Sequence, residues 1–436
     1  MPDVPAKAEI LPRVDPSALD PVRLRARDRD RRGHAAHGWL AALAGVLVTG
    51  PTSFAEFALA PVLVLYVLRS WVLGDAFFAV FRRSMVVAVL AFGVWLCAGV
   101  AWTDAPVRTA FEEPANLRWC LALGLLWPVL DRREHVIRGM MIGFALGQAS
   151  QLWQGLGFAL GFETPFDRLP VRFSGYWDPA VAGGVLTVAL GLHLPTALMG
   201  RGPARWVSVG LALAAAAGLG ATGSRGGWVA TALLVLVALV VAVRTGRGRG
   251  AALVVLAAGV VGAVAVATAP PIRDRVGVAV QEVRAALTEG DYSGDTGARI
   301  GMARYAGEAF LSSPIVGVGT AGYSHWARDN GAGDEVRLAD HAHNTWAHLA
   351  GCNGVIGVGL FGWVLCLGVS GSARWARGGL GSARAGPLFA MIGLVFFSLF
   401  DTLHVSQQSA ALLGVLLALS MGGPRSVAVD RSEADG

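Results

Sequence analysis

Three histidines, His341, His343 and His348, fall within eight residues of "DHAHNTWAHLAGCNGVIGVGLF" (340–361), a stretch that then turns apolar and glycine-rich. Imidazoles ahead of a hydrophobic run can hold a metal, relay protons or act as an acid–base catalyst. A helical metal pair wants i,i+4 spacing, and no pair among these three has it. His343, nearest the start of the apolar run, is the candidate general base. Asn344 could orient its ring or a substrate hydroxyl, and His341 could assist. His348 falls one turn inside the run and reads as structural. His404, near Asp401, is a further candidate.

Arginines supply the complementary chemistry. Arg225 sits in "ATGSRGGWVA", a tight turn between two long apolar runs, flanked by small residues that would let a large ligand approach. Arg299 opens a helical stretch after "GDTGA" and has no obvious local partner, whereas Arg304 is spaced to pair with Glu308. Arg172 lies in "PVRFSGYWDP". A guanidinium fork matches phosphate, and a nearby base can deprotonate an attacking hydroxyl. Together they suit a lipid-linked diphosphate whose sugar passes to a hydroxyl. With no acidic pair to hold a divalent cation, the arginines themselves would stabilise the leaving diphosphate.

The elements that position these groups are membrane helices. The chain has 436 residues, 54% hydrophobic and 15% charged, and soluble domains carry about a quarter charged residues. Apolar runs predict about twelve spans, near 38–50, 54–69, 84–102, 115–130, 135–160, 178–199, 205–222, 226–243, 251–269, 345–369, 385–402 and 406–421. The run 71–81 reads as an interfacial helix. The expected architecture is an all-α polytopic membrane protein with a helical periplasmic cap between spans nine and ten. Residues 1–33 are expected to be a disordered cytoplasmic tail, 34–269 to hold spans one to nine, and 270–344 to form the cap. Residues 345–421 would hold spans ten to twelve, and 422–436 a second cytoplasmic tail. Within the cap, Val276, Val280, Val283 and Leu287 share a helical face, a second helix ends before Pro314, and a Gly-rich loop follows.

Loop charge sets the orientation. With the N-terminus inside, Arg82, Arg83, Arg132, Arg133, Arg201, Arg244 and Arg377 fall in cytoplasmic loops, while the acidic or mixed loops fall outside. This distribution accounts for the net charge of +6 without nucleic acid. Cys97, Cys120, Cys352 and Cys366 all lie in apolar runs and read as small buried hydrophobes, not disulfides or metal ligands.

These motifs together resemble the O-antigen ligase and polymerase superfamily. "HNTWAHLAGCNGVIG" is similar to its pattern of His-Asn, nine residues, then Gly-x-x-Gly, here His343, Asn344, Gly354 and Gly357. "GSRGGW" resembles its Ser-Arg-Gly turn, and "GARIGMARYAGEAFLSSPIVGVGTAGY" resembles the stretch ending in Pro-x-x-Gly-x-Gly. The resemblance implies a metal-independent glycosyltransferase of the GT-C type, without cofactor, in the bacterial inner membrane. It would take glycan from undecaprenyl diphosphate at the periplasmic face. His343 would act as base or orient the acceptor, with Arg225 and Arg299 holding the diphosphate. Many relatives carry a carboxylate two residues before the first glycine, where this chain has Cys352.

The acceptor stays open: lipid A core for a ligase, the growing glycan for a polymerase, or a protein hydroxyl for an oligosaccharyltransferase. A solute transporter is the alternative from another class. It would place its ionisable groups near the bilayer midplane on broken helices. Here they gather at span ends.

Overall fold

A computed structural model describes residues 20–167, 172–246, 270–332, 338–377 and 379–422, and among these no strand occurs. The helices before the first long span are α1 (Pro21–Arg29), α2 (Arg31–Val48), α3 (Thr52–Phe57), α4 (Ala60–Leu68) and α5 (Ser70–Val80). Then come α6 (Ser84–Gly99), α7 (Val107–Ala115), α8 (Leu121–Leu126), α9 (Arg133–Leu160), α10 (Ala182–Met199), α11 (Pro203–Thr222) and α12 (Arg225–Arg244). The cap contributes α13 (Pro270–Thr288), α14 (Asp295–Ser312) and α15 (Tyr323–Asp329). The chain returns through α16 (Thr345–Ala376), α17 (Gly386–Phe397) and α18 (Gln407–Ser420).

Among the described residues five helices are long and apolar enough to cross a membrane: α6 with its extension to Trp102, α10, α11, α12 and α16. Their outward faces carry exposed hydrophobics such as Val94 (70% exposed) and Leu213 (61%), which is lipid-facing surface. α10 is buried along its whole length, between α11, α12 and α17. The protein is thus a helical, multi-pass membrane protein.

The described residues supply fewer continuous spans than the twelve expected, for three physical reasons. The expected span 115–130 is not one helix: 3-10 turns at Asn116–Cys120 and Trp127–Arg132 flank the short α8, where Pro114 and Pro128 interrupt the helical hydrogen bonds. The run 54–69 joins α5 across a bend of 114°, so 52–80 makes a broken or re-entrant element. α17 and α18 are only 12 and 14 residues long. The expected span 251–269 lies outside the described residues.

The N-terminal tail also departs from expectation from Asp20 onward. Residues 21–29 are helical, with the Asp20 side chain accepting from Val22 N–H. The charges that suggested disorder are paired with distant segments: Arg83 with Asp20, Arg69 Nε with Asp30 at 2.7 Å, and Arg23 with Asp131 at 3.9 Å. The cysteines need a similar correction. Cys352 is buried, but Cys97 and Cys366 are exposed on the outer faces of their spans; all four are free thiols.

The glycine-rich half of the opening motif has a specific structural use. α16 breaks at Gly354, whose φ of 63° and ψ of −166° are open essentially only to glycine. The loop after α14 enters that break. Val318 N–H donates to Gly351 C=O (2.9 Å), Gly319 N–H to Cys352 C=O (2.9 Å) and Val355 N–H to Pro314 C=O (2.9 Å). Backbone groups freed by the break thereby find partners, as they must within a membrane protein. Thr320 Oγ1 donates to Leu96 C=O (2.7 Å) and accepts from Asn353 Nδ2 (3.1 Å), fastening the same loop to α6. A Cβ at position 354 would lie 2.2 Å from Ile315 O. Gly354→Ala is therefore expected to destabilise the protein by about 2–5 kcal/mol, read as a lowered unfolding temperature in detergent. Gly359 has nothing within 4 Å of its Cβ position, so Gly359→Ala is the neutral control.

Candidate active site

Arg225 opens α12, whose N-cap is the Ser224 side chain accepting from Gly227 N–H. The glycines beside it serve helix packing: a Cβ at Gly226 would meet Phe400 Cβ at 2.4 Å, and one at Gly227 would meet Gly183 Cα at 2.7 Å. They let α12 seat closely on α10 and the loop after α17, a different use from the ligand approach expected. The guanidinium reaches Glu282 on α13 (Nη1 to Oε2, 3.3 Å) and Thr296 Oγ1 at the start of α14. Burial works to raise the Glu282 pKa, but hydrogen bonds from Thr296 and Arg225 hold it below the usual carboxylate value. Val276, Val280 and Val283 of α13 and Trp228 and Val229 of α12 line an apolar cavity of about 330 Å³ with Arg225 at its edge.

Arg172 pairs with Asp295, the first residue of α14, at 3.5 Å. Its loop is held in place by Gln154 Nε2 donating to Arg172 C=O (3.3 Å) and Phe173 N–H donating to Ala221 C=O (3.1 Å). Arg299 follows one turn into α14. Its side chain is exposed, yet surrounding protein, together with the positive charges of Arg225 and Arg172, holds its pKa below the ordinary value; Asp401 and Asp295 act in the opposite direction. Among the described residues Arg299 makes no hydrogen bond or ion pair. Arg304, by contrast, pairs with Glu308 at 2.8 Å as its spacing predicted.

His343 stands immediately before α16 with φ of 48°, a left-handed conformation uncommon outside glycine. Asn344 fixes the turn: its Oδ1 accepts from Trp346 N–H (2.9 Å) and Ala347 N–H (3.0 Å), capping the helix. The rings of His341 and His343 lie 4.4 Å apart, and both come within ligand distance of the Asp401 carboxylate. Asp401 is 3% exposed. Its carboxylate accepts from Ser406 Oγ (2.9 Å) and Ser409 Oγ (3.1 Å), while its backbone carbonyl accepts from Thr345 Oγ1 (2.7 Å). Burial pushes the Asp401 pKa up against those hydrogen bonds.

Burial, with Arg299 and His348 nearby, lowers the His343 pKa to about 4; burial and His343 lower His341 to about 3. Both imidazoles are therefore neutral at pH 7 and able to accept a proton. A base with its folded-state pKa held down stays active until pH falls toward that value. The acid limb of kcat/KM is accordingly expected near pH 4, not near the ordinary histidine value of about 6.5. A limb at 6.5 would remove His343 from that role.

Deeper in, His348 Nε2 lies 2.8 Å from Glu113 Oε1, and His404 Nε2 lies 3.7 Å from Glu113 Oε2. All three residues are buried. Cys352 Sγ sits 3.9 Å from both ring nitrogens of His348. A carboxylate thus reaches this part of the site from α7, although position 352 itself carries a thiol.

Residues 210–362, which include Arg225, Arg299, His343 and the Gly354 break, match the family model described as O-antigen ligase. That stretch is similar to the O-antigen ligase family, in line with the resemblance of its motifs. No curated protein matches the chain. The O-antigen ligase region therefore contains both sides of the site: the arginine turn and cap helix on one side, the His-Asn turn on the other. Asp401 and Glu113 lie outside it. Glu113 gave no signal in sequence, since it sits in a short acidic loop helix far from every motif. Asp401 was visible only as a neighbour of His404.

Proposed function

We propose that this protein transfers a glycan from an undecaprenyl-diphosphate carrier to a hydroxyl acceptor at the periplasmic face of a bacterial inner membrane, in cell-surface polysaccharide biosynthesis. The observation that carries this reading is the convergence of three arginines and a neutral histidine. Arg299 lies within electrostatic reach of Arg225, Arg172, Asp401 and His343. His343 takes the proton of the acceptor hydroxyl. The acceptor oxygen bonds to the anomeric carbon as the bond from that carbon to the diphosphate breaks. Undecaprenyl diphosphate leaves with the electron pair, its charge held by Arg299 and Arg225. Asp401 lies where it can orient the imidazole pair. The cavity edged by Arg225 suits the first isoprene units of a polyprenyl chain whose diphosphate meets the guanidinium.

The arginine-rich loops support a reading with both termini in the cytoplasm and the cap in the periplasm. Arg225, Arg299 and His343 lie at helix starts or in the cap, not midway along broken spans. That placement favours surface chemistry over solute transport. Ligase, polymerase and protein O-oligosaccharyltransferase readings share this mechanism and differ in acceptor. We place the ligase reading first, then the polymerase, then protein glycosylation. Incubating the purified protein with undecaprenyl-diphosphate glycan and, separately, lipid A core, free glycan or an acceptor protein tests it. Transfer to lipid A core is expected, without added Mg²⁺ or Mn²⁺. Transfer to none of the three would overturn the proposal.

A further inference from the structure

A buried cluster next to the His-Asn turn is not used by the transfer step proposed above. Glu113 comes from α7, His348 from the first turns of α16 and His404 from the loop between α17 and α18. Their exposures are 4%, 0% and 2%. The candidate ligand atoms of all three lie within 4.8 Å of one another. Two contacts, 2.8 and 3.7 Å, bracket the separation of about 3.4 Å that two ligands adopt around a tetrahedral ion with bonds of about 2.0–2.1 Å.

The polar atoms of this cluster are also left unsatisfied. Both ring nitrogens of His404 and Oε2 of Glu113 are buried without a hydrogen-bond partner. Buried polar atoms without partners are uncommon, and a bound ion is one standard reason for them. The shell around them is apolar and aromatic: Phe92 and Phe361 pack on His404, and Tyr323 packs edge-on against His348. Such a shell excludes competing water and fixes ring orientation.

We infer that Glu113, His348 and His404 form a structural site for a divalent transition-metal ion of the zinc class. Two imidazoles and one carboxylate suit Zn²⁺ and not Mg²⁺ or Ca²⁺, which prefer all-oxygen shells. Cys352 Sγ lies 3.9 Å from the His348 ring but outside this set, so the three residues leave the fourth position to water. The ion would tie α7 and the 401–406 loop to the start of α16, holding Asp401 and His343 in register from below. Spacing in the sequence could not show this site, because its ligands come from three separated segments. It does not depend on the glycan-transfer reading, and its test does not use activity.

The experiment is metal analysis of the full-length protein, purified in detergent without chelator or polyhistidine tag from zinc-supplemented cells. About one Zn²⁺ per chain is expected, falling at least about fivefold in Glu113→Gln and His404→Ala. His193→Ala, a buried histidine on α10 away from the cluster, is expected to retain the ion. Because a variant can fail to fold, Co²⁺ titration of the wild-type protein gives an independent readout: the visible bands of tetrahedral Co²⁺ should appear and be displaced by Zn²⁺. Wild-type protein that holds no zinc and develops no such bands would overturn the site. So would Glu113→Gln and His404→Ala variants that keep full stoichiometry.

Discussion

His343→Ala is expected to lower glycan transfer by about a hundred- to ten-thousand-fold, the usual contribution of a positioned acid–base group. The loss should fall on kcat with little change in carrier binding, because the diphosphate is held by arginines and not by the imidazole. The backbone sets a condition on the variant. His343 has φ of 48°, where Asn is tolerated better than most residues. His343→Asn therefore separates chemistry from folding: it keeps the turn and removes the base. His343→Asn is expected to unfold near the wild-type temperature, since Asn344, not His343, caps α16, whereas His343→Ala carries the strain of the left-handed backbone. Equal activity in His343→Asn and wild type would assign the proton transfer elsewhere, with His341 next in position.

Arg299→Ala is expected to cost about a hundred- to a thousandfold in kcat, the range seen when one preorganised donor to a developing negative charge is removed. Arg299 is a cleaner probe than Arg225. Arg225 also holds Glu282 and Thr296 together, so its removal loosens α13 and α14 as well as the anion site. Arg299 makes no such pair among the described residues, and its loss should leave stability nearly unchanged. Arg299→Lys keeps the charge and loses the planar fork, so it should recover only part of the activity. Full recovery with lysine would mean that charge alone is read, and not the geometry of the diphosphate.

Much of this site was legible in sequence because its parts carry local signals. The Ser-Arg-Gly turn, the helix after "GDTGA" and the His-Asn pair each mark a helix start, and helix starts are where sequence is most explicit. The i,i+4 pairing of Arg304 with Glu308 could be read the same way. What spacing could not show is what happens between segments. Glu113 reaches His348 across 235 residues, and no periodicity announces that contact. Gly354 looked like a small packing residue; only the loop inserted against it reveals a broken helix. The tail from Asp20 looked disordered because its charges seemed unpaired, and their partners, Arg69, Arg83 and Asp131, lie far along the chain. Span count suffered for a related reason. Hydropathy sums over a window and does not see that Pro114 and Pro128 divide 115–130 into short turns.

The most direct measurement of the central claim is release of undecaprenyl diphosphate from its glycan-linked form by the purified protein, in buffer free of Mg²⁺ and Mn²⁺, with acceptor present. Wild type is expected to release carrier and glycosylated acceptor in equal amounts, and His343→Asn and Arg299→Ala to release neither at a comparable rate. Undiminished release by both variants would contradict the account.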